Sequence, residues 1–140
     1  EAQAIGATNS DFVNPHGLNA ENHYVTAYDM YLIFNEALKY DTVNEIISMT
    51  SYDTVYTDKN GSEKTLSVKN TNQYLAGNVA APDRVTVIGG KTGTTSAAGN
   101  CLILLARDTS GNPYIAVILK SAERGILYTE MNALLKQATS

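Results

Sequence analysis

The sequence predicts a mixed α+β domain: an antiparallel sheet with a C-terminal helix packed on it and small helices near the N-terminus. Two near-continuous apolar runs, residues 100–107 and 114–120, flank the turn-forming residues 108–113 and so predict a hairpin. Strands that are apolar on both faces are covered on both sides, so we expect helices on each face of the sheet. The closing helix is predicted by a phased apolar stripe of Leu127, Met131, Leu134, Leu135 and Ala138.

Composition limits the possible functions. The chain has 140 residues, with 10 basic and 14 acidic side chains and a net charge of −4. It is therefore of single-domain size, and the absence of a basic run argues against a nucleic-acid partner. No apolar run reaches the length of a membrane span. The single cysteine, Cys101, lies in an apolar strand, where we expect a small core residue without an internal disulfide.

The N-terminal residues predict the end of a helix and a long loop. Residues 1–6 are typical of a last helical turn that ends at Gly6, so we expect the chain to belong to something longer. Residues 7–24 are rich in turn formers, and a loop of this length is either functional or a linker. Within it, His16 lies between Pro15 and Gly17, where its ring either hydrogen-bonds its own loop or reaches a substrate.

Two short helices and a hairpin follow. Thr26 and Asp29 form a start that resembles a capping box. Asp41 is a candidate cap for the second helix. Alternation over residues 50–57 predicts a strand, and Asn-Gly in residues 58–61 predicts a turn with positive φ angles before the return strand. The first helix carries the apolar stripe Met30, Ile33, Phe34, Ala37 and Leu38.

Residues 89–95, Gly-Gly-Lys-Thr-Gly-Thr-Thr, interrupt a strand that begins near Val85. Glycine inside a strand often marks the close approach of a ligand or of another backbone. Lys91 adds a positive charge, and the threonines on either side of Gly93 add hydroxyl groups. These residues predict a strand edge that binds an extended, anionic ligand.

Several motifs in order resemble the serine-type D-alanyl-D-alanine carboxypeptidases, the low-molecular-mass penicillin-binding proteins. Lys91-Thr92-Gly93 is similar to the third catalytic motif of that family. The other similar segments are Phe12-Val13-Asn14-Pro15-His16-Gly17-Leu18, Thr26-Ala27-Tyr28-Asp29-Met30, Lys69-Asn70-Thr71-Asn72 with Leu75, and Ser96-Ala97-Ala98-Gly99-Asn100-Cys101-Leu102. The resemblance implies the β-lactamase/transpeptidase-like fold and a hydrolase that acts on peptidoglycan stem peptides ending in D-Ala-D-Ala and binds β-lactams. It also implies an extracytoplasmic location in the cell envelope.

The resemblance implies a role for each residue of the strand. Lys91 would supply positive potential near the nucleophile, and the Thr92 hydroxyl would bind the substrate carboxylate. Gly93 would leave room for the substrate backbone, and the Thr94 N–H would be an oxyanion donor. Arg124 lies three residues before the position where the family often has a carboxylate-binding arginine, so it is either a shifted substrate contact or a solvated surface residue. His16 is the remaining candidate substrate contact.

The family's nucleophile motif, Ser-x-x-Lys, does not occur in these residues. Ser110-Gly111-Asn112 has the letters of the second motif, Ser-x-Asn, but it follows Lys-Thr-Gly and its residues are explained by a turn. We therefore expect residues 1–140 to be the C-terminal part of the catalytic domain, inactive alone. Two histidines without ligand-spaced partners predict no metal site, and no cofactor is predicted.

Two alternative functions remain open at this point. A class A β-lactamase shares Lys-Thr-Gly, but its Glu-x-x-Leu-Asn loop does not occur here. A non-catalytic wall-binding module would keep only the groove. The resemblance also implies that the strand over 113–120 lacks its family neighbour, so we expect a swapped dimer or an edge covered by another segment.

Overall fold

Five strands form two separate antiparallel sheets in residues 1–138, the part of the chain that the computed structural model describes. One sheet is a two-stranded hairpin, and the other has the strand order β3-β4-β5. The mixed α+β class predicted from the sequence is therefore correct. In chain order the elements are a 3-10 turn at Ala2–Ile5, α1 Ala27–Ala37, α2 Asp41–Ser48, β1 Ser51–Thr57, β2 Glu63–Lys69, β3 Val85–Thr95, β4 Gly99–Asp108, β5 Pro113–Ser121 and α3 Arg124–Ala138.

The three-stranded sheet is covered on both faces, as the apolar strands predict. Side chains of β4 alternate between two cores. Leu102 and Leu104 pack against α3. Ile103 and Leu105 pack against Phe34 of α1 and Ile47 of α2. Since β4 is the central strand, it carries apolar side chains on both faces, and five consecutive residues of it are buried.

The stripe predicted for α3 is partly wrong. Leu127, Met131 and Leu135 are buried, but Leu134 is 37% exposed and Ala138 is exposed. Tyr128 is buried instead, with its ring 5.2 Å from that of Tyr74. The face of α3 that meets the sheet is centred between positions 127 and 128, so position 134 falls at the border of the buried stripe.

The helix starts are partly as predicted. The Thr26 hydroxyl accepts a hydrogen bond from the Asp29 N–H at 3.0 Å, which caps α1. Asp41 is not the cap of α2: the cap position is Tyr40, which makes no side-chain cap bond, and Asp41 is in the first turn. Its carboxylate there still faces the positive end of the helix dipole. Asp29 is also fully buried and accepts hydrogen bonds from the Asn9 N–H and the Ser10 hydroxyl, both at 2.7 Å, so it ties the N-terminal loop to α1.

The close approach expected at the glycines of β3 occurs at two of them. A Cβ on Gly89 would lie 2.5 Å from the Ile47 carbonyl oxygen, and one on Gly90 would lie closer still to the Ile103 carbonyl oxygen. The strand has an irregular register between Val87 and Gly89, where it bulges. These glycines therefore let β3 pack against α2 and β4, and they do not face a ligand.

Cys101 is not a core residue, contrary to expectation. It is half-buried, and its sulfur lies 3.4 Å from the Ala98 carbonyl oxygen and 3.4 Å from the Lys120 nitrogen. The β4–β5 register shifts between Asn100 and Leu102, so Cys101 lies at the irregular end of the sheet, beyond the helix-covered part. Within residues 1–138, none of the helices is long and apolar enough to cross a membrane.

Candidate active-site wall

Lys91, Thr92, Gly93 and Thr94 follow one another in the C-terminal half of β3, an outer strand of the three-stranded sheet. Lys91, Gly93 and Thr94 are exposed, and Thr92 is half-buried. Because an outer strand has one edge without a strand partner, its backbone groups on that edge are available to an extended ligand. The described part of the chain thus presents these residues on one accessible edge.

The Lys91 ammonium group donates a hydrogen bond to the carbonyl oxygen of Thr92. The side chain therefore folds back over its own strand and holds its positive charge beside the Lys-Thr-Gly backbone. Backbone groups two residues apart point to the same edge of a strand, so the Thr92 and Thr94 peptide groups share one edge. A carbonyl or carboxylate that docks on this edge would meet both the charge and the N–H groups.

Gly93 differs from the two glycines that precede it in β3. A Cβ at Gly93 would meet only the Cβ of Cys101, at 3.9 Å, which is an ordinary contact. The space over Gly93 is open, whereas Gly89 and Gly90 are packed against backbone. Gly89 and Gly90 thus make room for neighbouring backbone within the fold, whereas Gly93 leaves open space beside the strand.

The Thr92 hydroxyl is paired with the hydroxyl of Thr71, with the two oxygens 2.5 Å apart. Thr71 belongs to the 70–73 segment, which is tied to the rest of the fold on both sides. The Asn70 amide donates to the Met49 carbonyl at 2.7 Å, and the Gln73 N–H donates to the Tyr128 hydroxyl at 3.0 Å. The predicted local hydrogen bonds of this loop are present in Asn70 and Asn72, but sequence reasoning missed the contact of Thr71 with β3.

An aromatic pair, Tyr74 and Tyr128, lies next to this segment, with its ring centroids 5.2 Å apart. Burial, reinforced by the neighbouring Tyr128, raises the pKa of Tyr74 to about 12. The Tyr74 hydroxyl donates to the Asn132 amide oxygen at 2.8 Å. Through this bond Tyr74 links the end of the 70–73 segment to α3.

Thr94 is connected to the start of α3 through Asn100. The Thr94 hydroxyl and the Asn100 amide oxygen are 3.4 Å apart, and the Asn100 amide group lies 3.4 Å from the carbonyl oxygens of Ser121 and Ala122. Arg124 follows as the first residue of α3 and is exposed. Its side chain lines a groove with Gln73, Asn78, Val79, Gly125, Tyr128, Thr129 and Asn132.

His16 is exposed in a loop that closes on itself. Its Nδ1 accepts a hydrogen bond from the Leu18 N–H at 3.2 Å, and the Asn14 side-chain oxygen accepts one from the Gly17 N–H at 2.9 Å. One residue beyond Leu18, the Asn19 side-chain oxygen accepts a bond from the Thr95 hydroxyl at 2.7 Å. The loop is therefore docked at the end of β3, close in the fold to the Lys-Thr-Gly residues. Sequence reasoning did not foresee this contact between positions 76 apart.

The Ser110-Gly111-Asn112 triplet lies far from this site. Asp108, which begins its turn, pairs with Val85 at the opposite end of β3 from Gly93. Val85 and Gly93 are eight positions apart along the strand, a distance of roughly 26 Å. The Ser110 and Asn112 N–H groups both donate to the Asp108 carboxylate, so these residues stabilise the hairpin turn.

Solved DD-peptidases share this fold. A Streptomyces DD-transpeptidase superposes with a TM-score of 0.83 at 26% identity, covering 96% of this chain and 49% of that protein. A D-alanyl-D-alanine carboxypeptidase of Mycobacterium tuberculosis superposes with a TM-score of 0.75 at 21% identity, over 96% of this chain and 48% of that one. The chain therefore has the fold of about half of each of these DD-peptidases.

The sequence matches the same class. Residues 1–123 match the family model described as D-alanyl-D-alanine carboxypeptidase. The carboxypeptidase DacF of Bacillus subtilis is 34% identical over 137 residues, which are 94% of this chain and 32% of that protein. DacC of Escherichia coli is 31% identical over 135 residues, 96% of this chain and 30% of its own length. The chain belongs to the D-alanyl-D-alanine carboxypeptidase family, and it spans about a third of the length of these curated relatives.

Proposed function

We propose that residues 1–140 form the C-terminal part of a catalytic domain that removes the terminal D-alanine from peptidoglycan stem peptides. The observation that carries this proposal is the exposed edge of β3, where Lys91, Thr92, Gly93 and Thr94 lie together beside an open space. Family membership supplies the reaction class. The nucleophilic serine and its lysine lie outside these residues, in which Ser-x-x-Lys does not occur.

In the proposed reaction, that serine attacks the penultimate D-alanine carbonyl and forms an acyl-enzyme as the terminal D-alanine leaves. Water then hydrolyses the ester. Lys91 supplies positive potential and the Thr92 hydroxyl binds the terminal carboxylate. The Thr94 N–H is one of two oxyanion donors, and the loss of one such donor costs about 10²–10³ in rate.

The remaining candidates act at the periphery of this site. Gly93 leaves space for the substrate backbone along β3. Arg124 lines a groove that reaches the 70–73 segment through Gln73, and from there it contributes to carboxylate recognition. His16 belongs to the loop docked at Thr95 and reaches the substrate from the end of the strand. Because peptidoglycan stem peptides are part of the cell wall, we expect the protein to act outside the cytoplasm, in the cell envelope.

Mass spectrometry of the full-length protein after treatment with penicillin tests the proposal. We expect one acylated serine, upstream of Glu1 and followed three residues later by lysine. A fluorescent penicillin should leave residues 1–140 alone unlabelled, because they hold no such motif. Labelling of this chain by itself would contradict the assignment of the nucleophile to another segment.

The same treatment separates the alternative functions. A β-lactamase would release the acyl group rapidly and would hydrolyse a chromogenic cephalosporin with many turnovers, whereas a carboxypeptidase keeps a persistent adduct. A non-catalytic wall-binding module would form no adduct at all. Release of D-alanine from a D-Ala-D-Ala peptide by the full-length protein distinguishes the carboxypeptidase from both.

The outer strand β5 pairs only with β4 in the described residues, and all its aliphatic side chains except the buried Ala116 are half-buried. We propose that its free edge is covered by another segment, or by a second copy when residues 1–140 are isolated. Light scattering of the isolated chain is expected to give a dimer. Tyr114→Lys, at a half-buried position of this strand, should weaken that dimer, and a well-folded monomer at high concentration would disprove the pairing.

A further inference from the structure

A second hydroxyl group lies against the one assigned to carboxylate binding. The Thr71 and Thr92 oxygens are 2.5 Å apart although the residues are 21 positions apart in the chain. We propose that Thr71 is a positioning residue for substrate recognition: it orients the Thr92 hydroxyl toward the terminal carboxylate of a D-Ala-D-Ala peptide. This inference rests on the proposed function.

Which of the two hydroxyls donates determines whether the Thr92 hydroxyl can also donate to a carboxylate. Only one hydrogen can lie between the two oxygens, so one hydroxyl donates and the other accepts. A carboxylate is an acceptor only, so it requires the hydrogen of Thr92. When Thr71 donates to Thr92, the Thr92 hydrogen is free for the carboxylate, and a hydroxyl that accepts one bond is the stronger donor in the next. By donating, Thr71 thus favours the rotamer of the Thr92 hydroxyl that leaves its hydrogen available to the carboxylate.

The backbone around Thr71 is held firmly enough for this role. The buried Asn72 accepts a hydrogen bond from the Tyr74 N–H, and its own N–H donates to the Asn70 side chain at 2.9 Å. The Thr71 carbonyl accepts a bond from the Gln73 amide at 3.1 Å. These bonds fix the direction in which Thr71 projects, whereas Thr92 is fixed by strand pairing with Leu102.

The pair is open to a ligand and lies beside a cation. Thr71 is exposed and Thr92 is half-buried, so an anion can reach the hydroxyls from solvent. The Lys91 ammonium group is bonded to the Thr92 carbonyl, so a positive charge is held at the same residue. The hydrogen of the Thr92 hydroxyl and the Lys91 ammonium group together match a small planar anion such as a peptide carboxylate.

The test uses the full-length enzyme and two substrates, an acyl-D-Ala-D-Ala peptide with a free terminal carboxylate and its methyl ester. The measured quantity is the ratio of kcat/KM for the acid to kcat/KM for the ester. We expect Thr71→Val to lower this ratio about tenfold, chiefly through the acid, since one hydrogen bond to a charged group is weakened. Thr71→Ser should restore the ratio, and Thr65→Val on the exposed hairpin should leave it unchanged.

A double-mutant cycle shows whether Thr71 acts through its neighbour. On a Thr92→Val background, Thr71→Val should have no further effect on the ratio. An equal loss for acid and ester in Thr71→Val, with no rescue by serine, would assign Thr71 a purely structural role and overturn the inference. An unchanged ratio in a folded variant would overturn it as well. A wild-type enzyme that releases no D-alanine would instead contradict the proposed function.

Discussion

Two of the hairpins, β1–β2 and β4–β5, have the same turn but very different surroundings. In β1–β2, the Asp58 carboxylate accepts hydrogen bonds from the N–H groups of Asn60 and Ser62, and Gly61 has a φ of 80°. In β4–β5, the Asp108 carboxylate accepts from residues 110 and 112, and Gly111 has a φ of 85°. The turn is therefore built from one aspartate and one left-handed glycine in both, and the expected positive φ at Asn60 does not occur.

The strands nevertheless differ in burial. Every residue of β2 is exposed, and in β1 only Thr54 is half-buried, whereas residues 102–106 of β4 are buried. The difference is that β4 has a strand on each side and helices on both faces, while β1 and β2 pair only with each other. A turn can set the register of a hairpin, but neighbouring elements decide whether the hairpin becomes core. The candidate site lies on the three-stranded sheet, which is the one covered by helices.

The largest expected difference comes from one leucine in each hairpin. Leu104 is fully buried in β4, and Leu104→Ala should lower the free energy of unfolding by about 3–5 kcal/mol because it leaves a cavity between β4 and α3. Leu66 in β2 is 46% exposed, and Leu66→Ala should cost less than about 1 kcal/mol. Urea unfolding of both variants of the full-length protein measures the difference. Similar losses would mean that the hairpin β1–β2 is covered in solution.

The next effect concerns β3, the strand that pairs with β4 and, within the described residues, has no counterpart beside the β1–β2 hairpin. Gly90→Ala places a Cβ against the Ile103 carbonyl and should destabilise the protein by about 1–3 kcal/mol, since backbone cannot move aside as a side chain does. Gly93→Ala, in the same strand, should change stability by less than about 0.5 kcal/mol because its Cβ meets only Cys101. The proposed function adds that Gly93→Ala slows D-alanine release while Gly90→Ala acts through folding. Equal stability losses in the two variants would contradict the distinction between packed and open glycines.

Much of the fold could be predicted because it depends on local patterns. Apolar runs predicted β4 and β5, and helical spacing predicted the buried faces of α1 and α3. The errors arise where a residue lies at the border of a pattern. Leu134 is at the edge of the buried stripe of α3, and Cys101 is at the irregular end of β4, so periodicity alone could not place either one correctly.

The site was less accessible to sequence reasoning. Lys91, Thr92 and Gly93 were found because they are contiguous and resemble a family motif. The partners of this strand come from distant positions: Thr71 meets Thr92, and Asn19 meets Thr95. Such contacts depend on how loops cross the sheet, for which neither spacing nor composition carries a signal. The short polar run at residues 70–72 was the available sign that a loop there is held in a fixed conformation.

The smallest predicted effect is the pH dependence of the β4–β5 turn. Hydrogen bonds to Asp108, first from the Asn112 side chain and also from the Tyr114 hydroxyl, lower the pKa of its carboxyl below the usual 3.8. The folded protein thus holds this carboxylate ionised more readily than the unfolded chain does. Its contribution to stability is present above about pH 4 and is lost as the pH falls through the lowered folded-state pKa.

Asp108→Asn should therefore be less stable than the wild type at pH 7, and the difference should shrink between pH 4 and pH 2. Urea unfolding at several pH values measures it, and Tyr114→Phe should give a smaller change in the same direction because the Tyr114 hydroxyl is one of the bonded donors. A difference that stays constant with pH would mean that the carboxylate charge contributes nothing to the turn. In that case, burial of the strands alone would explain why the β4–β5 hairpin is expected to be more stable than the β1–β2 hairpin.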